Sequence, residues 1–162
     1  MNRHSAYLSL GSNIEPEANI RSAMSALKAD FDDVAFSPAY RCPAVGFKGD
    51  DFINLAACIN TRLKPLELRH YLAELENRHK RDRLAPRWSS RTLDIDILLY
   101  DDLYLMSPAL EIPRKEILTT AHVLKPLADL APELLHPLVQ RTIALIWKDF
   151  PKNEVSLSPV VL

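Results

Sequence analysis

Alternation of apolar and polar residues over 6–10 (AYLSL) predicts a strand, and Gly11-Ser12-Asn13 predicts the turn that closes it. Over 15–28 the apolar residues Ile20, Ala23, Met24 and Leu27 recur at helical spacing. Glu15 and Glu17 fall in the first turn, where the helix dipole favours acids. A second strand is expected over roughly 34–41, with Pro43 behind Cys42 to stop it. Gly46 and Gly49 bracket a loop, and 52–61 reads as a third strand. Pro65, at a first-turn position that tolerates its missing N–H, opens a helix with Leu68, Leu72 and Leu75 on its apolar face. After a loop over 80–90, residues 93–99 predict another strand. Residues 103–106 form a candidate short strand, and helices are expected over 121–130 and 138–150, the latter ended by Pro151.

The order strand, helix, strand, strand, helix, strand predicts an α+β fold with a ferredoxin-like β-α-β-β-α-β core. That arrangement has an antiparallel sheet, its helices on one face, and here a C-terminal helical extension. A chain of 162 residues suits one core, so residues 1–162 are expected to form a single domain with 151–162 as a peripheral tail. This fold also hosts RNA-binding and small-molecule modules, so function has to come from particular residues.

Composition narrows the classes. Apolar residues at 48% and charged residues at 25% are those of a soluble globular protein. The net charge of −1 argues against a general polyanion binder, so no nucleic-acid partner is expected and any basic function must be local. Cys42 and Cys58 have no metal-type spacing, which suits a reducing cytosol. Residues 1–5 are polar and no apolar stretch approaches spanning length, so neither a signal peptide nor membrane association is expected. A cytoplasmic monomer is the expectation.

The chemistry concentrates in Arg91-Thr92-Leu93-Asp94-Ile95-Asp96-Ile97. Strand alternation puts Asp94 and Asp96 on one face and Leu93, Ile95 and Ile97 on the other. Two carboxylates on one strand face suit Mg²⁺, which takes a few hard oxygen ligands from protein and the rest from water and phosphate. The plainer alternative is a solvent-facing edge with both carboxylates hydrated. Just upstream, Lys80, Arg81, Arg83, Arg87 and Arg91 are opposed only by Asp82. Such a run can be a solvated surface, yet it leads straight into the two-Asp strand, where cations for phosphate and carboxylates for metal converge. Trp88 in this polar loop suits a lid. The chain has only Gly11, Gly46 and Gly49, so it carries neither a P-loop nor a dinucleotide-binding fingerprint. A second constellation pairs 41–47 with Asp51-Phe52-Ile53-Asn54. Asn54 has the donors and acceptor to read a flat heterocycle and Phe52 has a stacking face, although a capped turn with Phe52 in the core would give the same pattern. Glu74 and Glu76 are expected at the helix surface, Glu76 meeting the site only if the helix C-terminus abuts it.

The chain resembles the 6-hydroxymethyl-7,8-dihydropterin pyrophosphokinase family of folate biosynthesis along nearly its whole length. The likeness runs through Tyr7-Leu8-Ser9-Leu10-Gly11-Ser12-Asn13, Tyr40-Arg41-Cys42-Pro43 and Phe52-Ile53-Asn54. It peaks at Arg87-Trp88-Ser89-Ser90-Arg91-Thr92-Leu93-Asp94-Ile95-Asp96 and persists over 126–133. The resemblance implies transfer of pyrophosphate from ATP to the pterin hydroxymethyl group, with release of AMP. It implies two Mg²⁺ ions on Asp94 and Asp96, and Arg81 and Arg91 as the catalytic cations. Glu76, Arg83, Trp88, Ile97, Arg114 and Lys115 would bind ATP, with Arg83 and Trp88 on a lid. Cys42, Pro43, Val45, Phe52, Asn54 and His122 would line the pterin pocket. Family members usually have Gly where Ser89 and Lys80 stand and His where Arg114 stands. They commonly have a basic residue and an aromatic at Thr120 and His122. Two other readings fit the same sequence: a noncatalytic ferredoxin-like module that binds a ligand or RNA, and a diverged pterin pyrophosphokinase with an altered substrate.

Overall fold

The computed structural model describes residues 2–86, 88–153 and 155–162. Arg87, counted above in the cationic loop, lies outside the described residues. The central strand β1 (His4–Ser12) pairs antiparallel with β4 (Phe52–Thr61) on one side and β5 (Asp94–Tyr100) on the other. It runs through Gly11 and Ser12 rather than turning there, because both neighbours carry ladder partners that far: Gly11 faces Asn54 and Asp94. The predicted second strand is two strands, β2 (Asp32–Phe36) and β3 (Ala39–Cys42), both laid on β4. Pro38 has no N–H for the ladder, and Ser37 bridges the break. Its N–H donates to Ala56 O at 2.9 Å and its hydroxyl accepts from Ala56 N at 2.8 Å. With β8 (Ser158–Val160) added outside β3, the sheet order is β5-β1-β4-β3-β8.

Helices α1 (Pro16–Asp30) and α2 (Pro65–Arg78) cover one face, on a core that includes Leu8, Leu10, Ile20, Leu27, Leu55 and Leu75. Each such side chain, fully buried, contributes about 1.5–3 kcal/mol of hydrophobic stabilisation. The C-terminal extension does not stay on that face. Helices α4 (Ala121–Leu130) and α5 (Ile143–Asp149) pack Leu124, Leu127 and Ile143 against Leu98, Leu99 and Ala56 on the opposite side. The fold is therefore the expected α+β sheet with a third layer, and Tyr40 on β3 donates its hydroxyl to Asp129 on α4 to fasten it. Short elements complete the chain: β6 (Leu105–Met106) pairs with β7 (Glu111–Ile112), and α3 (Glu116–Thr119) precedes α4. The helix expected over 138–150 begins only at Ile143. Pro137 lacks an N–H, the Nδ1 of buried His136 accepts from Leu138 N and Val139 N, and Thr142 caps the shortened helix through Leu145 N.

Candidate active site

Strand parity builds the site. On the face shared with α4, the ladder sets Asp94, Gly11 and Asn54 abreast, and Asp96, Ser9 and Ala56 in the next such row. Two strand spacings separate the ends of a row, about 10 Å. The helical layer leaves this end of the face uncovered, and a cavity of about 990 Å³ opens there. Its wall carries Asp94, Asp96, Asn54, Arg81 and Arg91, the residues that two distant sequence motifs supplied.

Asp94 Oδ1 accepts from Arg81 Nη1 at 3.1 Å, and the same nitrogen reaches Glu76 Oε2 and Leu93 O. Glu76 is buried, contrary to the surface position expected of it, because the α2 C-terminus does abut the site. It accepts from Ile95 N at 2.8 Å and pairs with Arg83 at 2.9 Å. Burial pushes the Glu76 carboxyl up, the Ile95 N–H opposes that, and the Asp94 charge adds to the rise. Asp96 is pushed up to about 7, first by burial and then by Asp94, with Arg114 opposing at 3.7 Å. Arg114 owes its place to a bulge. The β1–β5 register skips Leu98, so Leu98 and Leu99 both turn to the α4 face, and Leu98 O accepts from Arg114 N at 2.9 Å. From there its guanidinium also pairs with Glu116 at 3.0 Å.

The residues expected on the pterin side gather on β3, β4 and the loop after β3. Cys42 lies opposite Phe52, and its sulfur accepts from Asn54 Nδ2 at 3.0 Å. Burial pushes the Cys42 thiol up to about 11, so it stays protonated and works as a neutral partner for the amide. A Cβ on Gly11 would stand 2.7 Å from Asn54 Oδ1, so glycine is what lets that amide lie across β1. Pro43, Val45 and Phe52 line the cavity, and His122 faces it from α4, its ring held neutral by burial against the pull of Asp94.

Three expected ATP residues are elsewhere. Arg83 folds back on α2, donating to Asn77 Oδ1 and Ala73 O. Ile97 is buried in the core on the α1–α2 face, as the alternation from Asp96 requires. Lys115 stands at the N-cap of α3, its N–H on Glu111, away from the cavity wall. One residue was missed. Asn13, read as part of a turn, donates to Asp50 O and Ser90 Oγ and accepts from Arg91 N at 2.7 Å, so it pins both loops that flank the cavity. An amide able to donate twice and accept, two residues after Gly11, was the available signal. Trp88 packs over Gly46, where a Cβ would come within 3.3 Å of the indole at φ +83°. Arg91 bonds the Ser89 hydroxyl and donates to Pro86 O at 3.1 Å.

Residues 7–132 match the family model for 7,8-dihydro-6-hydroxymethylpterin-pyrophosphokinase. The chain belongs to that family. It is 41% identical over 135 residues to the 2-amino-4-hydroxy-6-hydroxymethyldihydropteridine pyrophosphokinase of Pseudomonas aeruginosa, covering 81% of this chain and 83% of that one. It is 33% identical over 158 residues to the Haemophilus influenzae protein of the same name, covering 95% and 98%. A solved Plasmodium falciparum HPPK-DHPS chain superposes with a TM-score of 0.65 at 15% identity, over 91% of this chain and 42% of that one, a likeness of fold alone. Family membership displaces the noncatalytic-module reading. Ser89, expected from the resemblance to depart from the family pattern, donates its hydroxyl to Pro86 O at 2.6 Å and meets Arg91.

Proposed function

We infer that this pyrophosphokinase transfers the pyrophosphate of ATP to the hydroxymethyl group of 6-hydroxymethyl-7,8-dihydropterin, giving AMP and the pterin diphosphate for folate biosynthesis, with two Mg²⁺ ions held by Asp94 and Asp96. The observation that carries this reading is the row that joins Asp94 to Asn54 across Gly11 in one cavity. Among the described residues no three Asp, Glu, His or Cys side chains gather as metal ligands. A pair of carboxylates is nonetheless the protein share that Mg²⁺ uses beside phosphate and water. Asp96, raised to about 7 although Arg114 faces it, is a donor short of positive charge, and a divalent cation fits that deficit. Bound there, Mg²⁺ supplies charge neutralisation and a template for the triphosphate oxygens.

The protein's own part is positioning and charge. Asn54, its amide oriented by Cys42, reads the polar edge of the pterin, while Phe52 and His122 present ring faces. The pterin hydroxyl oxygen then bonds to the β-phosphorus of ATP, the bond from that phosphorus to the α,β-bridging oxygen breaks, and AMP leaves, with the hydroxyl proton passing to solvent. Arg81 and Arg91 face the charge that develops on the transferring group. We read the protein as a cytosolic monomer that acts on small molecules rather than nucleic acid.

Purified protein with ATP, Mg²⁺ and the pterin should release AMP only when all three are present, and chelation should stop it. Asp94→Asn and Asp96→Asn should each lower turnover by at least about 10²–10³-fold with the circular dichroism of the fold retained. Release of ADP, or turnover that survives either substitution, would sink the reading. Preference for a different pterin would change the substrate and leave the transfer chemistry standing.

A further inference from the structure

The chain beyond α5 is tied down at both ends and passes the cavity between them. At the first tether, Lys152 turns back on the C-terminus of α5. Its ammonium donates to Lys148 O at 3.1 Å and Phe150 O at 3.0 Å, and lies 4.5 Å from the Trp147 ring centroid. Val155 N then donates to Lys152 O, which redirects the chain toward the sheet. At the second tether, β8 pairs with β3, with Arg41 opposite Ser158 and Ala39 opposite Val160, while Val160 and Leu162 pack on the core. Carrying that antiparallel register two residues further sets Leu157 beside Cys42 and Ser156 beside Pro43, two residues of the pterin wall. Asn153, Val155, Ser156 and Leu157 line the same cavity as Asn54 and His122. Leu157 and Val155 are half-buried, and Asn153 and Ser156 are exposed at the mouth. The family-model match ends at residue 132, upstream of this strap.

We propose that Asn153, Val155, Ser156 and Leu157 form a specificity wall for the pterin, a strap from the C-terminal tail that sets pterin affinity without serving the nucleotide. The placement argues for the pterin end: the strap continues the β3 edge from Cys42, whereas Asp94 and Asp96 lie on β5, across β4 and β1. The wall is apolar where it is half-buried and polar at the mouth, which suits a flat heterocycle with hydrogen-bonding edges.

The proposal rests on the pyrophosphokinase reading, and the test separates the two. Two variants leave both tethers in place: Val155→Ala/Leu157→Ala, which opens the wall, and Ser156→Trp, which crowds the mouth. Michaelis constants for pterin and for ATP, turnover and Tm are measured for each. The pterin constant should rise by about 5–10-fold in the first and by more than about 10-fold in the second, as expected for altered packing on a bound ligand. The ATP constant should stay within about twofold. A pterin constant within about twofold of wild type in either variant overturns the proposal. So does a parallel rise of both constants with a falling Tm, which would make the strap a stability element only. Wild-type protein that makes no AMP from ATP and pterin refutes the activity itself, a result distinct from either.

Discussion

Gly11→Ala reaches the substrate site without altering any side chain that faces substrate. The added methyl would stand 2.7 Å from Asn54 Oδ1, about 0.7 Å or more inside ordinary contact. β1 cannot retreat, because Gly11 is laddered to Asn54 on one side and Asp94 on the other. The give must come from the Asn54 side chain, which is 5% exposed and donates to Cys42 Sγ. Rotating it away loses that hydrogen bond and leaves a buried amide poorly satisfied, a cost of about 1–3 kcal/mol. For a chain of this length each kcal/mol moves Tm by about 2–4 °C, so a fall of about 2–12 °C is expected in differential scanning calorimetry. Function should suffer more selectively. An amide turned out of line forfeits its hydrogen bonds to the pterin, so the pterin constant should rise about 10–100-fold while that for ATP stays within about twofold. Gly11→Ala/Asn54→Ala should recover most of the lost Tm, since the atom that is struck has gone, and the two substitutions should be non-additive. If Gly11→Ala kept the pterin constant within twofold, the close approach of Gly11 and Asn54 would not be what orients the amide.

Arg114→Ala removes the cation between Asp96 and Glu116. After solvent screening a cost of about 1–2 kcal/mol is expected, together with a higher ATP constant, and Arg114→His should recover part of both. Thr142→Ala deletes the α5 cap and should lower stability by about 1 kcal/mol in urea unfolding with turnover unchanged. His136 is held neutral by burial, so its folded pKa lies below the unfolded value near 6.5 and protonation favours the unfolded chain. Its contribution is complete above pH 6.5 and falls as pH drops toward the folded value, by at most about 1.4 kcal/mol per unit. His136→Asn, which keeps an acceptor for Leu138 N and Val139 N, should flatten the stability profile in that window. An unchanged acid slope would show that His136 is not the titrating group.

The strand 52–61 was legible to the residue, because a long apolar run bounded by the glycine loop and by Lys64-Pro65 leaves its ends little choice. The shared face of Asp94 and Asp96 was legible for a stronger reason: side chains alternate on any strand, whatever packs on it. The break at Pro38 and the bulge at Leu98 were not, since each is settled by a partner far along the chain, Ala56 and Arg114, and the late start of α5 rests on a side-chain turn at His136 that periodicity does not register. Glu76 shows the limit most clearly. Its helical position marked it as a surface acid, and only the meeting of α2 with Leu93 and Ile95 turns it inward onto Arg81 and Arg83.

That burial bears on how the site holds charge. Asp94 and Asp96 stand two residues apart on one face, and each meets an arginine that is itself engaged by a second carboxylate, Arg81 by Glu76 and Arg114 by Glu116. Neither arginine is therefore a full counter-charge for its aspartate, and Asp96 remains raised to about 7. A lysine in either place would bring a mobile point charge, whereas here one guanidinium nitrogen is shared by two carboxylates, Arg81 Nη1 by Glu76 and Asp94 and Arg114 Nε by Glu116 and Asp96. On the proposed metal-dependent reading, the second carboxylates keep the arginines oriented but incompletely committed, which leaves the carboxylate pair for a cation and a triphosphate to engage together. Glu76→Ala and Glu116→Ala should then act alike despite their separation: each lets its arginine close fully on the neighbouring aspartate, and each should weaken Mg²⁺·ATP binding in calorimetric titration more than it weakens binding of the pterin.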